Sequence, residues 1–338
     1  MSWAGAGLLR HWAARLHLID VPNQRSSHSR PTPRGGGLVI ATLTLLGTVM
    51  FYLSGGASLP VLAFAAFFAA TLLVSTISWL DDLKSLSSRL RLTAHAIAAV
   101  AIVAGVGYID RIQLPLLGII DLGWIGALVT VLWIVGLTNA YNFMDGIDGI
   151  AGSQAVLAGI GWIALGETFA DSFVWVIGLL IASSSLGFLW HNWPPARLFM
   201  GDVGSVFLGF TFAVLPIFAM QDTSQTANVL SAPLAAVALV WCFVFDSGFT
   251  FLRRLFRGEN AFRAHRSHLY QRLVVSGYSH LMVTLIYLGF GLLSGAIAIS
   301  YARGMPGAGP IMVLGLPAIG AALWLLVRRR ERSRQSGI

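Results

Sequence analysis

Ten runs of about 20 predominantly apolar residues dominate this sequence of 338 residues. A helix of about that length crosses the hydrocarbon core of a bilayer. The runs do not alternate polar with apolar residues, as the strands of a membrane barrel would. The sequence therefore predicts an all-α, polytopic integral membrane protein with about ten transmembrane helices. The predicted spans are residues 35–54, 59–80, 92–109, 122–141, 150–166, 172–190, 203–220, 230–251, 281–301 and 308–327.

The composition excludes several other classes of protein. Only 11% of the residues are charged and 56% are hydrophobic, whereas soluble domains are about 25% charged. A disordered chain would need low hydrophobicity instead. Cys242 is the only cysteine, so the chain cannot form an internal disulfide. We expect a single membrane-embedded domain over residues 1–338.

Basic residues are distributed unequally between the two ends of the predicted spans. Of the 22 Lys and Arg residues, only Arg111 and Arg303 fall in loops at the end opposite the others. Basic loops stay on the cytoplasmic side, so both termini are expected in the cytoplasm. The cytoplasmic parts then include the N-terminal segment 1–34, the loop 253–280 and the tail 328–338. The first of these begins too polar for a signal peptide, which leaves an interfacial helix or the remnant of a first span.

Acidic residues gather at the same end of the predicted spans. A carboxylate at this depth has to face a cavity or a partner, so we expect one active site on the cytoplasmic face. Asp246 is open to two interpretations, a site residue or a helix-end partner of Arg253 and Arg254. The acidic residues in this group are Asp81, Asp82, Asp145, Asp148, Asp202 and Asp246.

Two basic segments precede the middle of the chain. PNQRSSHSRPTPRGGG, residues 22–37, carries His28 and Arg34 and ends in three glycines, which would let the backbone approach a ligand closely. A positive-inside anchor would explain its arginines but not its glycines.

In WLDDLKSLSSRLRL, residues 79–92, the two carboxylates would repel each other unless a cation or metal compensates. A phosphate or metal site and an ion-paired helix end are both compatible with this segment.

The segment NAYNFMDGIDGIAG, residues 139–152, is the most specific of the motifs. On a continuing helix Asn139, Asn142 and Asp145 would share one face. Hard oxygen ligands of this kind suit Mg²⁺, which binds through one or two carboxylates together with substrate phosphates. A calcium loop is disfavoured because its alternating ligands and closing Glu are missing.

Two further polar segments follow. In HNWPPARLFMGDVGSVFLGF, Asp202 stands between glycines where a span begins, a place where backbone amides can bind an anion or where Asp simply caps a helix. FRGENAFRAHRSHLYQRL brings His265, Arg266 and His268 into one basic loop. Arginine forks suit phosphate oxygens. A zinc site is disfavoured because neither a thiolate nor a third ligand accompanies the two histidines.

These five segments, in this order and at these intervals, resemble the polyprenyl-phosphate N-acetylhexosamine-1-phosphate transferases, glycosyltransferase family 4. The likeness spans residues 20 to 280. The family's paired Asp matches Asp81 and Asp82, its Asn and Asp-Gly motif matches residues 139–148, and its Gly-Asp-x-Gly-Ser matches residues 201–205. The histidine loop AHRSHLYQRL is most similar to the branch that initiates O-antigen or related polysaccharides. Members usually begin with an extra span, and we expect this chain to lack a complete one.

The resemblance implies transfer of a sugar 1-phosphate from a UDP-N-acetylsugar to undecaprenyl phosphate in the bacterial inner membrane, with release of UMP. It implies Mg²⁺, or Mn²⁺ in its place, held by Asn142 and Asp202. Asp81 is then a positioning or metal-tuning group, with a general base as the rival role, and Asp82 would order Arg91. A lipid phosphate already carries a charge of about −1.5 to −2 at neutral pH, so a general base would have hardly any proton to remove from it.

The resemblance also implies roles for the other candidate residues. Asp145 and Asp148 would order the nucleotide pocket or support the metal ligands. His265, Arg266 and His268 would hold the donor, and Arg34, Arg89 and Arg91 the lipid phosphate. His28 and Asn139 are expected to bind substrate as well.

Several alternatives remain at this stage. Clustered carboxylates also mark transporters, but transporters commonly show internal repeats and carboxylates near the midplane, and neither is found here. A family member serving peptidoglycan or teichoic acid synthesis is a second alternative. The sequence leaves open whether the sugar is GlcNAc, GalNAc, FucNAc or QuiNAc. A homodimer would match some relatives, and no nucleic acid partner is expected.

Overall fold

The structure, a computed structural model, describes residues 1–13, 15, 18–21, 31–221, 228–259 and 266–335. Two short antiparallel strand pairs accompany the helices: β1 (Ile19–Asp20) with β2 (Thr32–Pro33), and β3 (Arg111–Leu114) with β4 (Gly118–Asp121). The helices are α1 (Ser2–Trp12), α2 (Gly37–Leu53), α3 (Val61–Lys84), α4 (Ser88–Gly105), α5 (Ile125–Met144), α6 (Ile150–Phe169), α7 (Ser172–Asn192), α8 (Asp202–Ala219), α9 (Ala232–Leu239), α10 (Trp241–Phe256), α11 (Leu269–Val275), α12 (His280–Ala302) and α13 (Ala308–Gln335).

The prediction of an all-α polytopic membrane protein is confirmed. Within the described residues, eight helices are long and apolar enough to cross a membrane. The helices α9 and α10 meet at a sharp bend and are long and apolar enough only together, as a broken span or a re-entrant loop, and the 17-residue α2 is a shorter apolar helix. Each of the ten predicted runs therefore corresponds to a helix or to this bent pair.

The bend between α9 and α10 is a feature that the sequence did not predict. The two helices differ in direction by 69° across Val240. Breaking a helix leaves a main-chain carbonyl without its partner, and such a group is costly inside a membrane. Here Gln154 of α6 donates from Nε2 to the carbonyl of Leu239 at 2.8 Å. A side chain far away in sequence thus stabilises the break.

The centre of the bundle is α8. Of its most apolar 18 residues, 94% are buried inside the protein, and it packs against α2, α3 and α5. Beside it, α6 and α7 approach so closely that a Cβ at Gly178 would lie 2.8 Å from the carbonyl oxygen of Gly159. We call the end of the bundle where α3, α5 and α7 finish and α4, α6 and α8 begin the site end.

The helix α1 packs along the half of α7 nearest the site end. The Ser2 hydroxyl donates to the carbonyl of Ser184 at 2.5 Å, and the His191 ring lies 3.0 Å from the carbonyl of Trp3. With 11 residues, α1 is too short to span a bilayer. The polar segment 1–34 that was expected at the interface therefore starts as a helix packed against a transmembrane span.

Candidate active site

The carboxylate of Asp82 holds the first turn of α8. One of its oxygens accepts the amide of Asp202 and the other accepts the amide of Val203, both at 3.1 Å. The first amides of a helix have no partner within the helix, and Asp82, only 3% exposed, supplies one. The prediction that Asp82 orders Arg91 is wrong, because this carboxylate is committed to α8.

Arg91 instead joins Asp81 to Asp202. Its Nη1 lies 2.7 Å from an oxygen of Asp81 and 3.0 Å from an oxygen of Asp202. The other oxygen of Asp81 accepts the amide of Leu86 at 2.5 Å, so it also orders the turn between α3 and α4. One guanidinium thus links three helices, α3, α4 and α8. Of the two interpretations of segment 79–92, the ion-paired helix end describes these contacts.

The three glycines around the start of α2, residues 35–37, contact protein backbone at the place where the sequence suggested a ligand. Gly36 and Gly37 donate their amides to the carbonyls of Phe199 and Met200 at 2.9 and 2.8 Å. A Cβ at Gly37 would overlap the Cα of Gly204, and a Cβ at Gly204 would overlap the Cα of Gly37. The glycines therefore let the start of α2 lie directly against the start of α8.

Arg34 lies in the same segment and reaches the end of α3. Its guanidinium donates to the main-chain carbonyl of Asp82, while its Nε is buried without a hydrogen-bond partner. The structure thus brings Arg34 beside the carboxylates. Arg89 is exposed at the same end of the bundle, and His28 lies outside the described residues. Their roles in binding substrate stay predictions.

The two asparagines of α5 are held in different ways. Ser205, one turn into α8, donates to the side-chain oxygen of Asn142 at 3.0 Å, so Asn142 faces the helix that begins with Asp202. Asn139 donates to the carbonyl of Val135 at 2.7 Å and lies 3.3 Å from Nδ1 of His95.

Sequence reasoning missed His95. It lies in α4 one turn after Arg91, so both residues share a face of that helix. The residue is 2% exposed, and its Nε2 is buried without a hydrogen-bond partner. A lone polar residue in an apolar run, four positions after a site residue, was the signal that could have identified it.

Asp145 and Asp148 lie in the turn between α5 and α6, and Asp148 ties this turn to its neighbours. Its Oδ2 accepts the amide of Ala196 at 3.0 Å, and its Oδ1 lies 3.3 Å from Nδ1 of His280. Thr284 of α12 donates to its main-chain carbonyl at 2.9 Å. Sequence reasoning missed His280 because it begins an apolar span with no acidic neighbour.

The histidine loop reaches the end of α5 through α11. His268 is buried, with its ring centroid 6.1 Å from that of Phe143. Tyr270 donates to the carbonyl of Phe143 at 3.0 Å. Arg266 is exposed nearby, and His265 lies outside the described residues. Of the predicted donor-binding residues, the structure places His268 next to the segment that carries Asn142 and Asp145.

The side-chain oxygens of Asn142 and Asp202 suit a hard divalent cation as ligands. Both side chains offer oxygen, and they come from facing elements joined by Ser205. Among the described residues no group of three or more His, Cys, Asp or Glu could hold a metal by itself. Mg²⁺ does not require one, because it commonly takes one or two protein oxygens with substrate phosphates and waters. Arg91 already supplies a positive charge to Asp202.

The Asp145 carboxyl leads to a prediction about pH and stability. Burial first, and then the charges of Asp82 and Asp148, raise its pKa to about 7. An unfolded Asp titrates near pH 4. Between these values the folded protein binds more protons than the unfolded chain, so stability is lost as pH rises. Asp145→Asn stays neutral and should not show that loss.

We expect the unfolding midpoint of Asp145→Asn in detergent and EDTA to rise relative to the unmodified protein between about pH 4 and about pH 8. The matched control is Asp110→Asn, since Asp110 is half exposed beside Arg111 at the opposite end of the bundle. That control should follow the unmodified protein throughout. If the unfolding midpoints of all three proteins changed with pH in the same way, the raised pKa of Asp145 would be contradicted.

Comparisons with known proteins show the family to which the chain belongs. Residues 64–220 match the model of glycosyl transferase family 4. The chain is 32% identical to a probable undecaprenyl-phosphate N-acetylglucosaminyl 1-phosphate transferase of Bacillus subtilis, over 83% of this chain and 76% of that protein. It is 30% identical to a decaprenyl-phosphate N-acetylglucosaminephosphotransferase of Mycobacterium leprae, over 98% and 89%. A phospho-N-acetylmuramoyl-pentapeptide-transferase of Synechococcus is 28% identical, over 83% and 82%.

The chain belongs to glycosyl transferase family 4, the polyprenyl-phosphate N-acetylhexosamine-1-phosphate transferases. The resemblance inferred from the five segments is thereby confirmed at the level of the family. Two of these relatives are named for polyprenyl-phosphate substrates, and the protein is accordingly a multi-pass membrane transferase of this family.

Proposed function

We propose that the protein transfers an N-acetylhexosamine 1-phosphate from a UDP-sugar to undecaprenyl phosphate and releases UMP. The observation that carries the proposal is the convergence of Asp202, Asn142 and Arg91 at one end of a membrane bundle. Oxygen ligands and a guanidinium are together there, as a reaction between two phosphate-bearing substrates requires. The names of the relatives point to the same reaction.

The chemistry joins a lipid phosphate oxygen to the phosphorus attached to the sugar. The bond from that phosphorus to the bridging oxygen breaks, and UMP leaves with the bridging oxygen. Such transfers depend on positioning and charge stabilisation more than on covalent participation by the protein. Mg²⁺, when bound at Asn142 and Asp202, would neutralise charge on the donor pyrophosphate.

The residues of the chain then divide into two groups. Arg34 and Arg91 bind and orient the lipid phosphate, and Arg266 with His268 holds the donor. Asp81 positions Arg91, as its 2.7 Å contact supports, and it has no proton to remove from a phosphate that is already ionised. Asp148 fixes the turn that carries Asp145, and this turn forms part of the nucleotide pocket.

The setting that we propose is the cytoplasmic face of a bacterial inner membrane. The support is the basic bias of the loops at the site end, because anionic donors and anionic lipids are attracted there. The product would begin a lipid-linked polysaccharide such as O-antigen. UDP-GlcNAc is the first donor to test, because two of the relatives are named for N-acetylglucosamine transfer.

The decisive measurement is UMP release by the purified full chain with undecaprenyl phosphate, MgCl₂ and each of four donors: UDP-GlcNAc, UDP-GalNAc, UDP-FucNAc and UDP-QuiNAc. We expect release with at least one donor, dependent on the lipid, abolished by EDTA and restored by Mg²⁺ or Mn²⁺. A reaction without lipid is the control. If monodisperse protein released no UMP with any donor, the proposal would be wrong.

A further inference from the structure

Asp246 of α10 is a buried carboxylate that the reaction chemistry above does not use. It is 0% exposed. The interpretation as a helix-end partner is wrong, because Arg253 donates to the carbonyl of Ser267 and Arg254 pairs with Glu259. A buried charge is costly unless hydrogen bonds compensate it, so the groups that surround Asp246 indicate what it does.

Those groups come from three helices. The amides of Leu269 and Tyr270, in the first turn of α11, donate to the two oxygens of Asp246 at 2.7 and 3.0 Å. The hydroxyl of Tyr287 in α12 donates at 2.6 Å, and that of Thr250 in α10 at 3.2 Å. Asp246 therefore fixes the start of α11 between α10 and α12.

The short α11 depends on such contacts because seven residues are too few for a stable isolated helix. Its opposite end is secured separately, since Arg272 makes two hydrogen bonds, at 2.8 and 2.7 Å, with Glu331 of α13. Loss of the Asp246 contacts would therefore loosen the first turn of α11 and leave the last turn attached.

The first turn of α11 is also the part that touches the end of α5. The hydroxyl of Tyr270 donates to the carbonyl of Phe143. A Cβ at Gly146 would overlap that same hydroxyl, so Tyr270 fits closely against the turn that follows α5. This places Asp246 at the beginning of a contact chain that ends beside Asn142 and Asp145.

We infer that Asp246 is a positioning residue: through the amides of Leu269 and Tyr270 it sets the histidine loop against the turn after α5. Arg266 and His268 immediately precede the segment that it fixes, and Nδ1 of His268 itself lies 3.3 Å from an oxygen of Asp246. Asp246 therefore governs how the donor is held. This inference rests on the proposed function for its kinetic consequence. Its structural consequence, the order of residues 266–275, stands independently.

The kinetic test compares Asp246→Asn with Gly248→Ala, a control two residues away in α10 whose added Cβ would meet nothing within 4 Å. The two amides donate to different oxygens of Asp246, and asparagine in the same position would present an NH₂ donor to one of them. We expect its KM for the UDP-sugar to rise about tenfold, as for loss of a hydrogen bond to a charged group, with KM for undecaprenyl phosphate unchanged. A lower kcat with both KM values unchanged would indicate only a loss of folded enzyme and would overturn the inference.

Hydrogen–deuterium exchange supplies a measurement that does not depend on activity. In Asp246→Asn we expect faster exchange in peptides covering residues 266–275 and 141–149, with α6 and α7 unchanged. Uniformly faster exchange, or no change, would contradict positioning. Should Asp246→Asn not fold, Tyr287→Phe removes one of the contacts and should cause a smaller change in the same two peptides. Absence of UMP release by the unmodified protein would refute the proposed function and leave this exchange result to decide the inference.

Discussion

Asp202→Asn should lower lipid-dependent UMP release by at least about 100-fold, as removal of one preorganised charge-stabilising group does in other enzymes. Asp202 offers an oxygen ligand for Mg²⁺ and also forms an ion pair with Arg91. Asparagine keeps the shape of the side chain but loses its charge. The measurement is the initial rate of UMP release at saturating donor and lipid.

The control for this variant is Asp110→Asn, which removes a carboxylate paired with Arg111 at the opposite end of the bundle. Surface pairs of this kind contribute little to stability, so its rate and unfolding midpoint should match those of the unmodified protein. If Asp202→Asn retained more than about a tenth of the rate while folded, the proposed role of Asp202 as an oxygen ligand of Mg²⁺ in the reaction would be wrong.

Gly37→Ala should destabilise the whole protein. The added Cβ would overlap the Cα of Gly204, and because the obstacle is backbone no change of rotamer can relieve it. Overpacking of a well-packed interior costs about 3 kcal/mol at the upper end of the usual range. We expect a lower unfolding midpoint in detergent, and a reduced monodisperse fraction in size-exclusion chromatography.

Gly289→Ala in α12 is the matched control, since a Cβ there meets no atom within 4 Å. Alanine is favoured over glycine within a helix by about 1 kcal/mol, so this variant should be as stable as the unmodified protein or slightly more so. Equal unfolding midpoints for Gly37→Ala and Gly289→Ala would contradict the close approach of the start of α2 to the start of α8.

The spans could be predicted from sequence because length and apolarity are local properties. The break at Val240 could not, because neither Gly nor Pro marks it and its stabilising partner, Gln154, lies in another helix. For the same reason the run 230–251 was predicted as one continuous span. The local sequence around the break is as apolar as that of any unbroken helix.

The position of the candidate site was also predictable, whereas its internal contacts were not. Carboxylates at span ends indicated which end of the bundle carries the site. Asp81 and Asp82 are equivalent in sequence, but successive helical residues point in directions about 100° apart. One therefore meets Arg91 and the other meets the amides that begin α8.

The contact between the glycines at the start of α2 and the start of α8 also orders events during synthesis of the chain. Chains are made from the N-terminus, so Gly36 and Gly37 leave the ribosome long before Phe199 and Met200, their hydrogen-bond partners. The rest of α2 and the five helices from α3 to α7 come between them. Until Phe199 and Met200 have been made, those glycine amides cannot form these hydrogen bonds. Assembly of this end of the bundle is therefore a late step of biogenesis, completed after most of the spans have entered the membrane.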